Sequence, residues 1–324
     1  MSGSRRRRRR FRIAAVLLAV LAALFAVELL CRVVWPTPLS IAGSERESWR
    51  ANPEFAKRYF VADAELGFAP RLGNEVYGED GCRVHAYPRE RQAGVRRVLF
   101  LGDSVTFRDR IVAAIRARAG EAGREYFNAG VEGYNTAQEL GWFRRHGAAL
   151  RPDHVVIAVH MNDFESGLVA FHDEQDRMVV VEPERSGLRI WPWLFARSAA
   201  YRRAVAVYSA RFDRHDFESG AREVETALAA LRDELRAGGA ELSILALPAF
   251  VAEAEWNEHE RKSYARVLAI GEALAIRTFD LRPAVAELAA AGIAMEETPG
   301  DRWHPNDAAA AAIARVLERA GFVP

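Results

Sequence analysis

The chain has 324 residues, half of them hydrophobic and 27% charged, with a formal net charge of +1. That balance suits one or two globular domains with a real core and excludes a disordered or fibrous chain. Outside the arginine run Arg5–Arg10 the sequence is mildly acidic, so no nucleic acid is expected among its partners.

The arginine run abuts an apolar stretch. Ile13 to Val27 carries no charge, and apolar character resumes around Glu28 and Arg32 as far as Trp35. This is about the ~20 residues that a helix needs to cross a bilayer. Residues 1–10 therefore read as a basic cytoplasmic N-terminus and residues 11–35 as a transmembrane signal anchor, with Trp35 at the outer interface. The body of the protein is then expected outside the cytoplasmic membrane, periplasmic or extracellular. Glu28 and Arg32 are spaced to pair along one helix face. No small-x-small site ends the apolar run, which favours an uncleaved anchor over a cleaved signal peptide. Of the two cysteines, Cys31 falls in the anchor and Cys82 beyond it, and neither has a metal-ligand spacing.

Residues 36–95 are rich in Pro, Gly and charge. Arg71-Leu72-Gly73-Asn74 and Gly78-Glu79-Asp80-Gly81 read as turns. This segment is expected to be a lead-in that packs on the main domain and has no motif of its own. From residue 96 the pattern changes. Val98–Leu101 is an unbroken apolar run ended by Gly102, as in a strand buried on both faces. Ile111, Ala114, Ile115 and Ala119 recur at helical spacing. Tyr126–Phe127 reads as a second strand, Ala137–Ala149 as a helix, and His154–Val159 as a third strand. Further on, Val224 to Leu235 marks an amphipathic helix stopped by Gly238-Gly239, and Leu242–Leu247 a strand. Tyr264–Leu274 (helix), Ile276–Phe279 (strand) and Asp307–Ala320 (helix) close the chain. Strands alternating with helices predict a three-layer α/β domain with a parallel sheet over residues 96–324. The alternation lapses at about 164–216, an expected insertion. Its aromatic cluster Trp191-Pro192-Trp193-Leu194-Phe195 is expected to pack the insertion, with a lid, a sugar platform or a membrane contact as alternatives.

Four short segments carry the chemistry. Ser104 follows a buried strand and Gly102-Asp103, and it precedes a helix, so its hydroxyl lies at the carboxyl edge of the sheet near a helix N-terminus. A serine hydroxyl needs a base. Of eight histidines, His304 is preferred because Asp301, three residues earlier, can orient its imidazole; His160, ending the third strand, is the rival. Gly130 and Gly133 after the second strand offer unhindered backbone N–H groups, and Asn162 after the third strand offers a side-chain amide, as donors to an oxyanion.

The ordered set resembles the SGNH hydrolases of the GDSL family. Gly102-Asp103-Ser104 with Thr106 matches the first block, Asn128 to Gly133 the second, Asn162-Asp163 the third, and Asp301-Arg302-Trp303-His304-Pro305 the last. The resemblance covers residues 96 to 324. It implies a three-layer α/β/α sandwich with flavodoxin-like strand order. It also implies Ser104 as nucleophile, His304 as base, Asp301 as its orienting acid, and an oxyanion hole made by the Ser104 N–H, the Gly133 N–H and Asn162. The lead-in, with Asp63-Ala-Glu-Leu-Gly67-Phe, more loosely resembles membrane-anchored bacterial members associated with cell-surface polysaccharides. Two positions depart from the family pattern: His160 and Arg108 stand where glycine is usual, and both are expected to bring bulk toward the mouth of the site.

Asp103, Arg108, His160 and Trp303 are candidate substrate contacts. No metal or organic cofactor is expected. The function that follows is a serine esterase hydrolysing small acyl esters, acetyl foremost, on a carbohydrate or other small ester substrate. The alternatives are an O-acyltransferase acting on a cell-surface polysaccharide and a non-catalytic glycan-binding or assembly protein.

Overall fold

The computed structural model describes residues 2–35, 57–88, 90–165, 167–172, 178–181, 191–211, 216–322 and 324. Most of the lead-in before Lys57 and parts of the expected insertion lie outside the described residues.

The first element is α1 (Ser2–Val33), whose Arg10–Val33 portion is long and apolar enough to cross a membrane; most of it is exposed, with Cys31 near its end buried. Two short antiparallel strands follow, β1 (Phe60–Asp63) and β2 (Gly67–Pro70). Their turn is set by Asp63, whose Oδ1 accepts from the backbone N–H groups of Glu65 and Leu66 at 2.9 and 2.8 Å. The hairpin was not apparent in the sequence, because four-residue strands leave too short a pattern to read. It does pack on the main domain: Phe60, Phe68 and Tyr77 are buried, and the Tyr134 hydroxyl donates to the Phe68 carbonyl at 2.6 Å.

The central sheet is laid down next. β3 (Arg96–Leu101) leads into the short α2 (Ser104–Phe107) and then α3 (Arg110–Ala119); β4 (Arg124–Asn128) leads into α4 (Thr136–Arg145), and β5 (His154–Val159) follows. The insertion contributes a second hairpin, β6 (Val169–His172) with β7 (Met178–Val181), and two helices, α5 (Pro192–Arg197) and α6 (Ala199–Arg211). α7 (Phe217–Ala237), β8 (Glu241–Ala246), α8 (Glu258–Ala273), β9 (Arg277–Asp280), α9 (Arg282–Ala290) and α10 (Asp307–Arg319) complete the chain. Helix α9 was missed by periodicity; it is short, and its start is marked by Pro283 near the first turn.

The five strands pair in parallel in the order β4-β3-β5-β8-β9. Counted within the sheet this is 2-1-3-4-5, the flavodoxin-like order. Alternation along each strand divides the core in two. Leu99, Leu101, Val155, Ile157 and Val159 face one cluster with residues of α4, α7 and α8. Val98, Phe100, Val156 and Ala158 face the other with residues of α3, α9 and α10. Helices thus cover both faces of a parallel sheet, the expected three-layer α/β/α architecture. Because the strand order reverses at β3, the connections leaving β3 and β5 depart to opposite sides and open a crevice at their carboxyl ends. Ser104 follows the first of these strands and Asn162 the second.

Candidate active site

Ser104 opens α2, and Asp103 caps that helix by accepting from the Val105 N–H at 2.9 Å. The sharp exit from β3 requires glycine at position 102: an added Cβ there would lie 2.0 Å from Thr106 Oγ1 and 3.3 Å from Ala158 Cβ. On the opposite side of the crevice, Asp301 and His304 sit in the loop before α10, which Asn306 caps through the Ala309 N–H at 3.0 Å.

These elements bring three side chains into a line. His304 Nε2 is 2.8 Å from Ser104 Oγ, and His304 Nδ1 lies 2.8 and 2.9 Å from the two Asp301 oxygens. Asp301 Oδ1 is also held by the backbone N–H groups of Trp303 and His304, at 3.2 and 3.3 Å. A hydroxyl, an imidazole and a carboxylate arranged this way allow the hydroxyl proton to move to Nε2 while Nδ1–H stays on the carboxylate.

The loop itself is clamped from below. Arg302 makes a two-pronged pair with Glu260, Nε to Oε1 at 2.9 Å and Nη2 to Oε2 at 2.7 Å, and also donates to the Glu255 carbonyl at 2.8 Å. Glu260 is buried and at the same time closes the capping box of α8 with Asn257. Sequence reasoning did not single out Glu260; the pattern Asn257-x-x-Glu260 was a legible helix start, but its ion pair with Arg302 required the fold.

The backbone N–H groups of Ser104 and Gly133 donate to no other group among the described residues. Gly133 occupies a turn with φ +78°. The Asn162 side chain gives one N–H to Asp103 Oδ2 at 2.8 Å, and its second N–H has no acceptor among the described residues. Gly130 has a different task from the one its sequence position suggested. Its N–H is taken by Asn128 Oδ1 at 2.9 Å, and its α-carbon lies against the turn carrying Ser104. A Cβ at Gly130 would sit 2.2 Å from the Phe107 nitrogen. Gly130→Ala should therefore push α2 out of place and cost about 3 kcal/mol, since the clash is with backbone and no side chain can yield. Chemical denaturation of the two proteins measures this. Asn128 completes the tie, donating from Nδ2 to the Thr106 carbonyl at 2.8 Å and to Asp109 Oδ1 at 2.7 Å.

Of the four candidate substrate contacts, two are withdrawn. Asp103 is 2% exposed, and its two oxygens serve Val105 and Asn162. His160 is 4% exposed; its ring meets Asn162 Oδ1 at 3.2 Å and borders a cavity of about 10 Å³ lined by Glu260, Ser263 and Tyr264. It brings no bulk to the mouth. Burial, acting more strongly than nearby Asp103, holds the His160 imidazole below its ordinary range; the Ser104 hydroxyl meets His304 Nε2, whereas the His160 ring meets Asn162. Arg108 and Trp303 remain at the surface. Arg108 pairs with Glu297 and lies 3.8 Å from Asp301 Oδ2, while Glu297 also takes Arg110 at 2.9 Å. The guanidinium is thus matched by acids and does not make a free cationic patch. Trp303 is 45% exposed.

Beneath the crevice lie two acids that the sequence did not reveal as unusual, Asp163 and Glu139. Asp163 accepts from the His160 N–H at 2.7 Å and meets Thr136 Oγ1 at 2.6 Å. Burial, reinforced by the Asp103 carboxylate, pushes Asp163 up to about 7. Glu139 is raised well above the usual carboxylate range by burial, then by Asp163 and Asp103. Both groups bind protons more tightly in the folded chain than in the unfolded one. Their contribution is fully present below the unfolded value near 4 and is lost as pH rises through the folded value. Stability should thus fall between about pH 4 and about pH 7. Asp163→Asn should flatten that part of the profile, which urea titrations across the range would show.

No family model matches the chain, and no curated protein matches it. Solved structures do. LAE5, an alpha/beta hydrolase from the metagenome of Lake Arreo, Spain, superposes with a TM-score of 0.47 at 16% identity, covering 72% of this chain and 98% of its own. A catalytic mutant of Axe2, an acetylxylan esterase from Geobacillus stearothermophilus, gives 0.46 at 17% identity, covering 70% and 94%. The acetyl xylan esterase AlAXEase gives 0.45 at 14%, covering 69% and 98%.

Proposed function

We propose that this chain is a membrane-anchored, extracytoplasmic SGNH-type serine esterase that removes small acyl groups, acetyl foremost, from a carbohydrate. The observation that carries the proposal is the contact of Ser104 Oγ with His304 Nε2 at 2.8 Å, with Asp301 behind the imidazole. Ser104 attacks the ester carbonyl as His304 takes its proton. The tetrahedral oxyanion is received by the Ser104 and Gly133 N–H groups and the second N–H of Asn162. Collapse expels the sugar hydroxyl, protonated by His304, and leaves an acyl-enzyme. Water, activated by the same imidazole, releases the acid and restores the serine. Ester exchange of this kind requires no metal or organic cofactor. The extracytoplasmic location follows from the arginine-flanked apolar helix, and the carbohydrate from that location together with the family resemblance.

The test is release of free acetate from an O-acetylated polysaccharide by the full-length chain in detergent. Release in water supports hydrolysis. Acetyl that stays in polymer, with no free acid formed, would move the reading to an acyltransferase. Asn162→Ala should lower kcat on p-nitrophenyl acetate by about 10²- to 10³-fold with little change in KM, the usual loss for one oxyanion donor. An unchanged kcat would remove Asn162 from the hole.

A further inference from the structure

The anchor does not simply tether the domain. Glu28 in α1 accepts four hydrogen bonds: from Arg32 Nε at 2.7 Å, Ser198 Oγ at 2.7 Å, and the backbone N–H groups of Ala199 and Ala200 at 2.9 and 3.0 Å. Arg32 Nη2 in turn donates to the Arg197 carbonyl at 2.8 Å. One acidic side chain of the apolar helix therefore caps the first turn of α6, while its ion-pair partner takes a carbonyl from the end of α5. Orphan N–H groups at a helix start are good partners for a carboxylate.

Depth follows from helix geometry. Ile13 to Glu28 spans about 22 Å at 1.5 Å per residue, inside a hydrocarbon layer of roughly 30 Å that begins near Ile13. A carboxylate at that depth is tolerable only with partners. Whatever hydrogen-bonds to Glu28 must lie at its level, so residues 197–200 are held within about 8 Å of the outer edge of the hydrocarbon layer. The surface next to them is aromatic and apolar. Trp191 and Trp193 are each 65% exposed, and Val207 is 52% exposed on α6. Trp193 is one helical turn from Arg197, whose guanidinium stands 5.0 Å from the centre of its ring. Of the aromatic cluster, only Phe195 is fully buried, so packing the insertion explains that ring and neither tryptophan. Tryptophan beside arginine, joined to a membrane-spanning helix, has the chemistry of the headgroup layer, where an apolar ring body and a polar edge are both satisfied.

We propose that residues 191–208 form an interfacial element that lies at the outer boundary between acyl chains and headgroups beside α1. The domain is then held to the membrane at two places and in one orientation, with Glu28 as the joint between them. This rests on the reading of α1 as a membrane anchor.

The test uses the full-length chain carrying Trp35→Phe, reconstituted in phosphatidylcholine–phosphatidylglycerol vesicles whose acyl chains are brominated near the headgroup. Tryptophan emission should be quenched relative to unbrominated vesicles. Adding Trp191→Phe and Trp193→Phe should remove most of that quenching, while both proteins still float with the vesicles and retain equal esterase activity in detergent. Quenching that is the same with and without the two tryptophans would overturn the interfacial element and leave the anchor standing. A chain that does not float with the vesicles would overturn the anchor and the interfacial element together.

Discussion

Alanine at Ser104 or at His304 is expected to reduce turnover of p-nitrophenyl acetate by about 10³- to 10⁶-fold, and the double replacement should be no worse than either alone. The non-additivity carries the argument. Ser104 Oγ and His304 Nε2 are 2.8 Å apart, so they act as one unit: without the hydroxyl the base has nothing to activate, and without the base the hydroxyl stays protonated. The residual rate should come from the N–H groups of Ser104 and Gly133, which both variants retain. Neither replacement should unfold the chain. Ser104 and His304 lie at the rim of the sheet, outside both apolar clusters, and α2 keeps its Asp103 cap. Thermal unfolding of the three variants beside the wild type separates lost chemistry from lost structure. Two single losses that multiply in the double variant would mean that the residues act independently, and the proposed nucleophile–base pair would fall.

Much of this arrangement was legible before any coordinates, for a physical reason. A parallel strand covered on both faces must be apolar throughout, so Val98–Leu101 and His154–Val159 announced themselves, and residues just beyond such strands share one edge of the sheet. The Asp301–His304 spacing also translated directly, because a contact within one short segment depends little on the rest of the fold. Contacts between distant segments did not translate. Gly130 looked like an open donor, yet its lack of a side chain is needed where the Phe107 nitrogen comes within 2.2 Å of the Cβ position. His160 looked like bulk at the mouth, but nothing in its position after a strand tells which way the ring turns, and it turns inward toward Ser263 and Tyr264. The Arg302–Glu260 pair joins residues 42 positions apart. The clamp on Glu28 links the apolar helix α1 to residues some 170 positions away, while in sequence Glu28 showed only its Arg32 neighbour.

Asp301→Asn tests the orienting acid of the proposed triad, and kcat should fall by about 10⁴-fold with KM nearly unchanged. The replacement keeps shape and can keep one acceptor oxygen for the Trp303 and His304 N–H groups, so the loop should hold. What changes is the proton arrangement on the imidazole. With aspartate, both carboxylate oxygens lie within 2.9 Å of His304 Nδ1, so Nδ1 carries the hydrogen and Nε2 is free to accept from Ser104. An asparagine amide turned toward Nδ1 donates instead, which shifts the hydrogen to Nε2 and leaves no acceptor facing the serine. The developing imidazolium also loses its adjacent negative charge. Arg108, 3.8 Å from Asp301 Oδ2, cannot substitute for that charge, and it would then stand beside the imidazolium with only Glu297 to balance it. Hence Arg108→Gly in the Asp301→Asn background should recover part of the lost rate. In the wild-type background it should change kcat far less, because there the carboxylate already screens the imidazole. Steady-state kinetics of the four proteins on one ester decides it. If Asp301→Asn leaves kcat within about tenfold of wild type, the acid has been misassigned, since the tautomer argument requires the larger loss.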